Sequence, residues 1–127
     1  ISSLFKNNTN TTLICIGGIY NKILGGVSGS EAIDNISKYR PDKAFMGTSG
    51  INLEGNAISN FDLEECNTKK AIINASKKVY IVMENEKFYF DGSYKFASLS
   101  DINILITGGA PEEKIKNILI KNNIILL

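Results

Sequence analysis

The sequence predicts a three-layer α/β domain with a largely parallel sheet, and three observations predict it. Short apolar runs of strand length alternate with longer stretches of helical character. One of these runs, Val79 to Met83, is continuously apolar, as a central strand covered on both faces would be. Glycine follows the runs repeatedly, at Gly17-Gly18, Gly47 to Gly50 and Gly108-Gly109, where a chain leaving a strand must turn. With 127 residues, 43% of them hydrophobic, the chain can bury one core but not two, so residues 1–127 are read as one domain.

The elements follow in order. Thr12 to Ile16 is β-branched and apolar and reads as a first, buried strand ended by Gly17-Gly18. Ser30 offers an N-cap to a helix from Glu31 to Tyr39, with Ile33 and Ile36 on one face and Pro41 beyond its end. Lys43 to Gly47 is the next strand and runs into the small-residue turn Gly47-Thr48-Ser49-Gly50. Asp62 to Lys77 has the strongest helical character: acidic residues at Asp62, Glu64 and Glu65 precede basic ones, as the helix dipole favours. Leu63, Cys66 and Ile73 form its apolar stripe. After the Val79 to Met83 strand, the aromatic, irregular stretch from Glu84 to Tyr94 reads as a loop or hairpin over the sheet edge. Ile102 to Thr107 is a further strand. Pro111-Glu112-Glu113 starts a helix whose buried face is Ile115, Ile118 and Leu119, Asn122-Asn123 stops it, and Ile124 to Leu127 is the last strand.

Composition excludes several function classes. Lys plus Arg number 14 and Asp plus Glu 13, a net charge of +1, so nucleic-acid binding has no electrostatic basis in this chain. The apolar runs are far below the roughly 20 residues a membrane span needs. Only Cys15 and Cys66 are present, both inside apolar patterns that suit reduced, buried thiols and a cytoplasmic setting. The chain holds no histidine, which rules out a Ser-His-Asp or Cys-His arrangement and any His-containing zinc site; no catalytic residue, cofactor or metal is expected. Neither a phosphate loop of the G-x-x-x-x-G-K-[ST] type nor a dinucleotide fingerprint occurs. The chain opens on Ile1 rather than Met and is expected to be a fragment.

In a sheet of this kind ligands collect outside the carboxyl ends of the strands, where the glycines lie. Main-chain N–H groups there suit a phosphate, with Ser49 or Thr48 adding hydroxyls; tight strand-to-helix turns explain the same glycines equally. Lys87 follows the central strand among Glu84, Glu86 and Phe88. Its ammonium can anchor a phosphate, and a neighbouring carboxylate such as Glu84 can handle protons on a sugar; a solvated lysine paired with Glu84 is the plainer reading. Glu65 and Lys69 are also candidates, although their i,i+4 spacing needs no function beyond a helix ion pair.

Taken together, Gly17-Gly18-Ile19-Tyr20, Gly29, Asp42-Lys43-Ala44-Phe45-Met46-Gly47, Leu63-Glu64-Glu65, Lys69-Lys70-Ala71, Lys87-Phe88 and Leu99-Ser100-Asp101-Ile102 resemble, in order and spacing, the sensor domain of the DeoR family of sugar-catabolism repressors. The resemblance implies a Rossmann-like fold of the ribose-5-phosphate isomerase type, reused to bind a phosphorylated sugar. It implies a ligand site drawn from Gly17, Gly18, Gly29, Gly47, Ser49, Gly50, Glu65, Lys69, Glu84 and Lys87. It further implies a separate N-terminal helix-turn-helix segment that contacts DNA, a first phosphate-binding loop before Ile1, and a homo-oligomer in the full-length protein. Three positions depart from the family pattern: Glu84 and Gly108 stand where aspartate is usual, and Phe61 near a usual proline. A sensor is expected ahead of a sugar-phosphate isomerase or an interaction domain with a vestigial pocket.

Overall fold

A computed structural model describes residues 10–127. In chain order the elements are β1 (Ile19–Asn21), β2 (Gly26–Ser28), α1 (Ser30–Ile36), β3 (Ala44–Met46), β4 (Gly50–Asn52), β5 (Ala57–Asn60), α2 (Leu63–Ala75), β6 (Val79–Met83), β7 (Tyr94–Ala97), β8 (Ile104–Thr107), α3 (Glu113–Lys121) and β9 (Ile125–Leu126). Two 3-10 turns add Asn85–Tyr89 and Leu99–Asp101.

The expected Rossmann-like α/β class holds. β3, β6, β8 and β9 form a parallel sheet in that spatial order, with the apolar run of β6 at its centre. Register sets Met46, Ile81, Leu105 and Leu126 side by side on one face, and α2, α3 and a second sheet pack there. That second sheet, β4-β5-β7, is antiparallel and contributes Ile51, Ile58 and Phe96 to the same core. Ile51, Ile58, Ile81, Leu105 and Leu119 are shut off from water. β6 is covered on one face only: Val79, Ile81 and Met83 are buried, but Val82 is exposed, as are Phe45 and Ile125 on the same side. Phe45 and Tyr80 stack there with ring centres 4.5 Å apart.

Local chemistry sets most helix ends. Asp62 caps α2 by accepting from the Glu65 N–H at 2.7 Å, and the Asn123 φ of +57° closes α3 with a left-handed residue. The first helix differs from expectation: Gly29, not Ser30, stands at the cap, no side chain caps the helix, and it stops at Ile36. Its buried pair is Ala32 and Ile36, while Ile33 is half-buried. In α2 the expected stripe is incomplete, because Cys66 is buried but Leu63 is exposed. α3 starts at Glu113, with Pro111 ahead of its cap rather than in its first turn.

Other expectations fail outright. Residues 12–16 form no strand: Leu13, Ile14 and Cys15 are exposed, and among the described residues no ladder partner faces them. The β1–β2 hairpin follows instead, so Cys66 is the buried thiol and Cys15 is not. β4, β5 and β7 had no counterpart in the apolar runs. By contrast, Glu84 to Tyr94 is a loop, one of its two expected forms, with a 3-10 turn at Asn85–Tyr89 and the start of β7 at Tyr94, and it is not a hairpin.

Candidate functional site

Strand order brings three bends to one edge of the molecule. The carboxyl ends of β3, β6 and β8 are neighbours, so the 47–50 bend, the Glu84–Lys87 turn and the Gly108-Gly109 turn lie along the same rim. At the end of β3 opens a cavity of about 450 Å³, lined by Gly47, Thr48, Ser49, Asn60, Glu65 and Lys69 among others. A second, of about 170 Å³, lies under the β1–β2 hairpin and shares Leu24, Glu65, Lys69 and Ile72 with the first.

Lys69 is the centre of this arrangement. Its side chain is only 11% exposed, and its Nζ donates to Glu65 Oε1 at 2.7 Å and to the Gly47 carbonyl at 2.9 Å. The ammonium also lies 5.2 Å from the centre of the Phe96 ring. It therefore ties α2 to the end of β3, leaving the Glu65 carboxylate, 26% exposed, facing the opening. The turn itself is internally bonded. Ser49 N–H donates to Ser59 O and to Asn60 Oδ1, Gly50 N–H donates to the Thr48 hydroxyl, and that hydroxyl is within reach of the Ser59 and Gly50 carbonyls. The Ser49 and Gly50 amides that the sequence offered to a phosphate are thus committed to the protein. Gly50 is glycine for packing: a Cβ there would collide with the backbone of Phe90 and come within 3.0 Å of Asp91 N.

Further along the rim, Lys87 pairs with Glu86 at 2.8 Å, not with Glu84, and sits over the Phe90 ring at 5.5 Å. Glu84 instead lies over Gly108, where its carboxylate occupies the space a side chain at 108 would take. Two departures from the family pattern are therefore one arrangement: the longer Glu84 reaches the place that the missing side chain at 108 vacates. Asn85 donates to Gly109 O at 3.1 Å and its Oδ1 is buried without a partner.

Gly17, Gly18 and Gly29 stand elsewhere. They cluster at the foot of the hairpin and the start of α1, with φ of +73°, +113° and +95°, and line neither cavity. Gly18 admits no Cβ because Ser28 O and the Ala32 Cβ are in the way. Of the ten expected site residues, Gly47, Ser49, Glu65 and Lys69 meet in one cavity, Gly50 supports it, and Glu84 and Lys87 extend its rim. Sequence reasoning missed Asn60, whose buried amide fixes Ser49, and Asp91. Asp91 accepts from Asn52 at 2.9 Å and Ser59 at 3.0 Å, bonds that hold its carboxyl below the usual carboxylate range. Neither residue belongs to an apolar run or a motif, so no sequence signal marked it. Among the described residues no group of three His, Cys, Asp or Glu is placed to hold a metal ion.

Residues 1–109 match the model of the DeoR C-terminal sensor domain. The chain belongs to this family. Among its relatives are the glycerol-3-phosphate regulon repressors of Escherichia coli K12, 32% identical over 88% of the chain, and of Haemophilus influenzae, 30% identical over 86%. The HTH-type transcriptional repressor GlcR of Bacillus subtilis is 27% identical over the whole chain. The chain spans 44%, 42% and 48% of the length of these three repressors. The DeoR sensor domain described here carries Glu65, Lys69, Glu84 and Lys87 along the rim where its parallel strands end, and no helix among its described residues is long and apolar enough to cross a membrane.

Proposed function

We propose that this DeoR-type domain is the effector sensor of a cytoplasmic transcriptional repressor and binds a phosphorylated sugar without turning it over. The observation that carries the reading is the convergence of Glu65, Lys69, Glu84 and Lys87 along one rim formed by adjacent strand ends, beside a cavity large enough for a sugar. Lys87 is the phosphate anchor, since its pairing with Glu86 is partly exposed and exchangeable. Glu65, Asn60 and Glu84 offer acceptors to sugar hydroxyls. A sensor needs only affinity that differs between two states. Contact with DNA belongs to a separate N-terminal segment, and the repressor names of the relatives support regulation over catalysis.

The test is a set of thermal melts against phosphorylated sugars, glycerol 3-phosphate included. A ligand at 100 times its Kd adds about 2.7 kcal/mol to stability. Lys87→Ala removes most of that increment and leaves the unliganded protein within about 0.5 kcal/mol of the parent. A panel with no shift, or a shift untouched by the substitution, refutes the reading.

A further inference from the structure

Between β4, the 3-10 turn at Asn85–Tyr89 and the start of α3 lies a cavity of about 350 Å³. It shares no lining residue with the cavity at the end of β3, and its α3 wall, Glu112 to Ile118, lies beyond the 1–109 stretch that matches the family model. The floor is apolar: Ile51 and Ile115 are buried core residues, and Ile118 and Phe88 pack against that core. Tyr89 and Phe90 add exposed aromatic surface to the lining. Three carboxylates, Glu54, Asp91 and Glu112, face one ammonium, Lys114, so the lining carries a charge of −2 in a chain whose net charge is +1. That ammonium stands 3.8 Å from Glu54, with both side chains more than three-quarters exposed, a contact of little strength. Asp91 and Glu112 accept from neutral donors instead: Asn52 and Ser59 on the first, the Tyr89 hydroxyl at 2.8 Å on the second. These bonds fix two carboxylates beside apolar surface without neutralising either.

We infer that this cavity binds a small organic cation, a primary ammonium carried on a short apolar body. An anion is repelled by the excess of carboxylates. A metal ion is excluded by geometry, because among the described residues no three acidic side chains are placed to hold one. A neutral apolar molecule fills the floor but strips water from charged groups and returns nothing to them. An ammonium on an apolar body meets both demands. An ionised carboxylate has about four lone-pair sites, so Asp91 and Glu112 can each accept from the ammonium in addition to the bonds they already hold. The rings of Phe88, Tyr89 and Phe90 suit a cation or an aromatic body, and the isoleucines cover the rest. The volume sits at the lower end of the range for small-molecule sites and fits a ligand of about ten heavy atoms. The domain then has two inputs of opposite charge, a phosphoryl group at the rim and an ammonium here.

An NMR titration of the 127-residue chain tests this with three probes of one shape: 2-phenylethylamine, the neutral 2-phenylethanol and the anionic 3-phenylpropionate. The amine binds saturably with a Kd of about 1 mM or tighter, and its amide shifts centre on residues 51–54, 88–91 and 112–118. The alcohol binds at least about tenfold more weakly, and the acid more weakly still. Glu54→Lys combined with Glu112→Gln reverses the sign of the lining charge, keeps every apolar lining residue and leaves Tyr89 an acceptor. It weakens the amine at least about tenfold with an unchanged far-UV spectrum. Glu113→Gln, on the same helix but outside the lining, leaves the Kd within about twofold. Shifts that stay linear or centre elsewhere, an alcohol that binds as tightly as the amine, a double variant that binds the amine like the parent, or an equal loss in Glu113→Gln overturns the inference. Lys87→Ala leaves amine binding unchanged, so this site and the phosphate site at the rim stand or fall separately.

Discussion

Replacing Lys69 by methionine separates two roles that one ammonium could play. If it braces the fold, its loss destabilises the unliganded protein; if it waits for an anion, the unliganded melt is unmoved and only the ligand response suffers. The geometry decides for bracing: the Nζ is engaged by Glu65, by the Gly47 carbonyl and by the Phe96 ring, while methionine keeps the apolar stem. Breaking a fully buried pair costs about 3–5 kcal/mol, and an exposed pair is worth under about 1. With Lys69 11% and Glu65 26% exposed, the change falls between these limits, at about 2 kcal/mol. For a chain of this length that lowers the Tm by roughly 8 °C. Adding Glu65→Gln to Lys69→Met costs less than the two single changes together, by at least about 1 kcal/mol, because the second substitution removes the carboxylate stranded by the first. Calorimetry and urea titration on the four proteins measure both quantities. A Lys69→Met protein within about 0.5 kcal/mol of the parent refutes the bracing role.

Two further outcomes follow from the same geometry. Gly50→Ala forces the backbone of Phe90 and Asp91 to move and destabilises the protein by at least about 2 kcal/mol, whereas Gly108→Ala meets only the end of the Glu84 side chain and costs less than about 1; equal denaturant midpoints for the two would contradict this. Asp91, whose carboxyl is held low by hydrogen bonds from Asn52 and Ser59, stabilises the fold above the ordinary carboxylate pKa of about 4, and this contribution is lost as pH falls below that value toward its own lower one. Asp91→Asn therefore flattens the acid limb of the stability profile, and equal slopes in the two proteins would exclude that role.

The sequence made some elements plain and hid others, for physical reasons. β6 was visible because all five of its residues are apolar, although only Val79, Ile81 and Met83 are buried, and α2 because Asp62 caps it and Glu65 and Lys69 stand four apart. The misread strand at 12–16 has the right composition, but a strand exists only where a partner accepts its hydrogen bonds, and partners are not written locally. The antiparallel sheet was hidden for the opposite reason. β5 buries Ser59 and Asn60, polar residues that a hydrophobic pattern assigns to a loop. Ser59 is satisfied by Asp91 and by the Gly92 N–H, 32 and 33 residues away, and Asn60 by the Ser49 N–H, 11 residues away. The Glu65–Lys69 pair was legible from spacing; the Gly47 carbonyl that turns it into a cross-link lies 22 residues from Lys69 and was not.

The glycines show why residue type alone misleads about a ligand site. Gly18 is required by a φ of +113° and the nearness of Ser28 and Ala32, and Gly50 by the backbone of Phe90, while at Gly108 the movable end of the Glu84 side chain fills the space a Cβ would take. Gly50 and Gly108 stand on the rim where the proposed ligand binds, yet packing within the protein accounts for each. The amides of the 47–50 bend that hydrogen-bond within the protein cannot hold a phosphate without breaking those bonds, so recognition falls to the charged side chains. There the carboxylates of Glu65, Glu84 and Glu86 outnumber the ammoniums of Lys69 and Lys87, and each ammonium already has a carboxylate partner. On the proposed reading, an incoming phosphoryl group must take Lys87 from Glu86, exchanging one ion pair for another. A phosphoryl group carries more negative charge than the carboxylate it displaces, so Lys87 supplies much of the affinity, while the choice among sugars falls to the hydroxyl contacts at Glu65, Asn60 and Glu84.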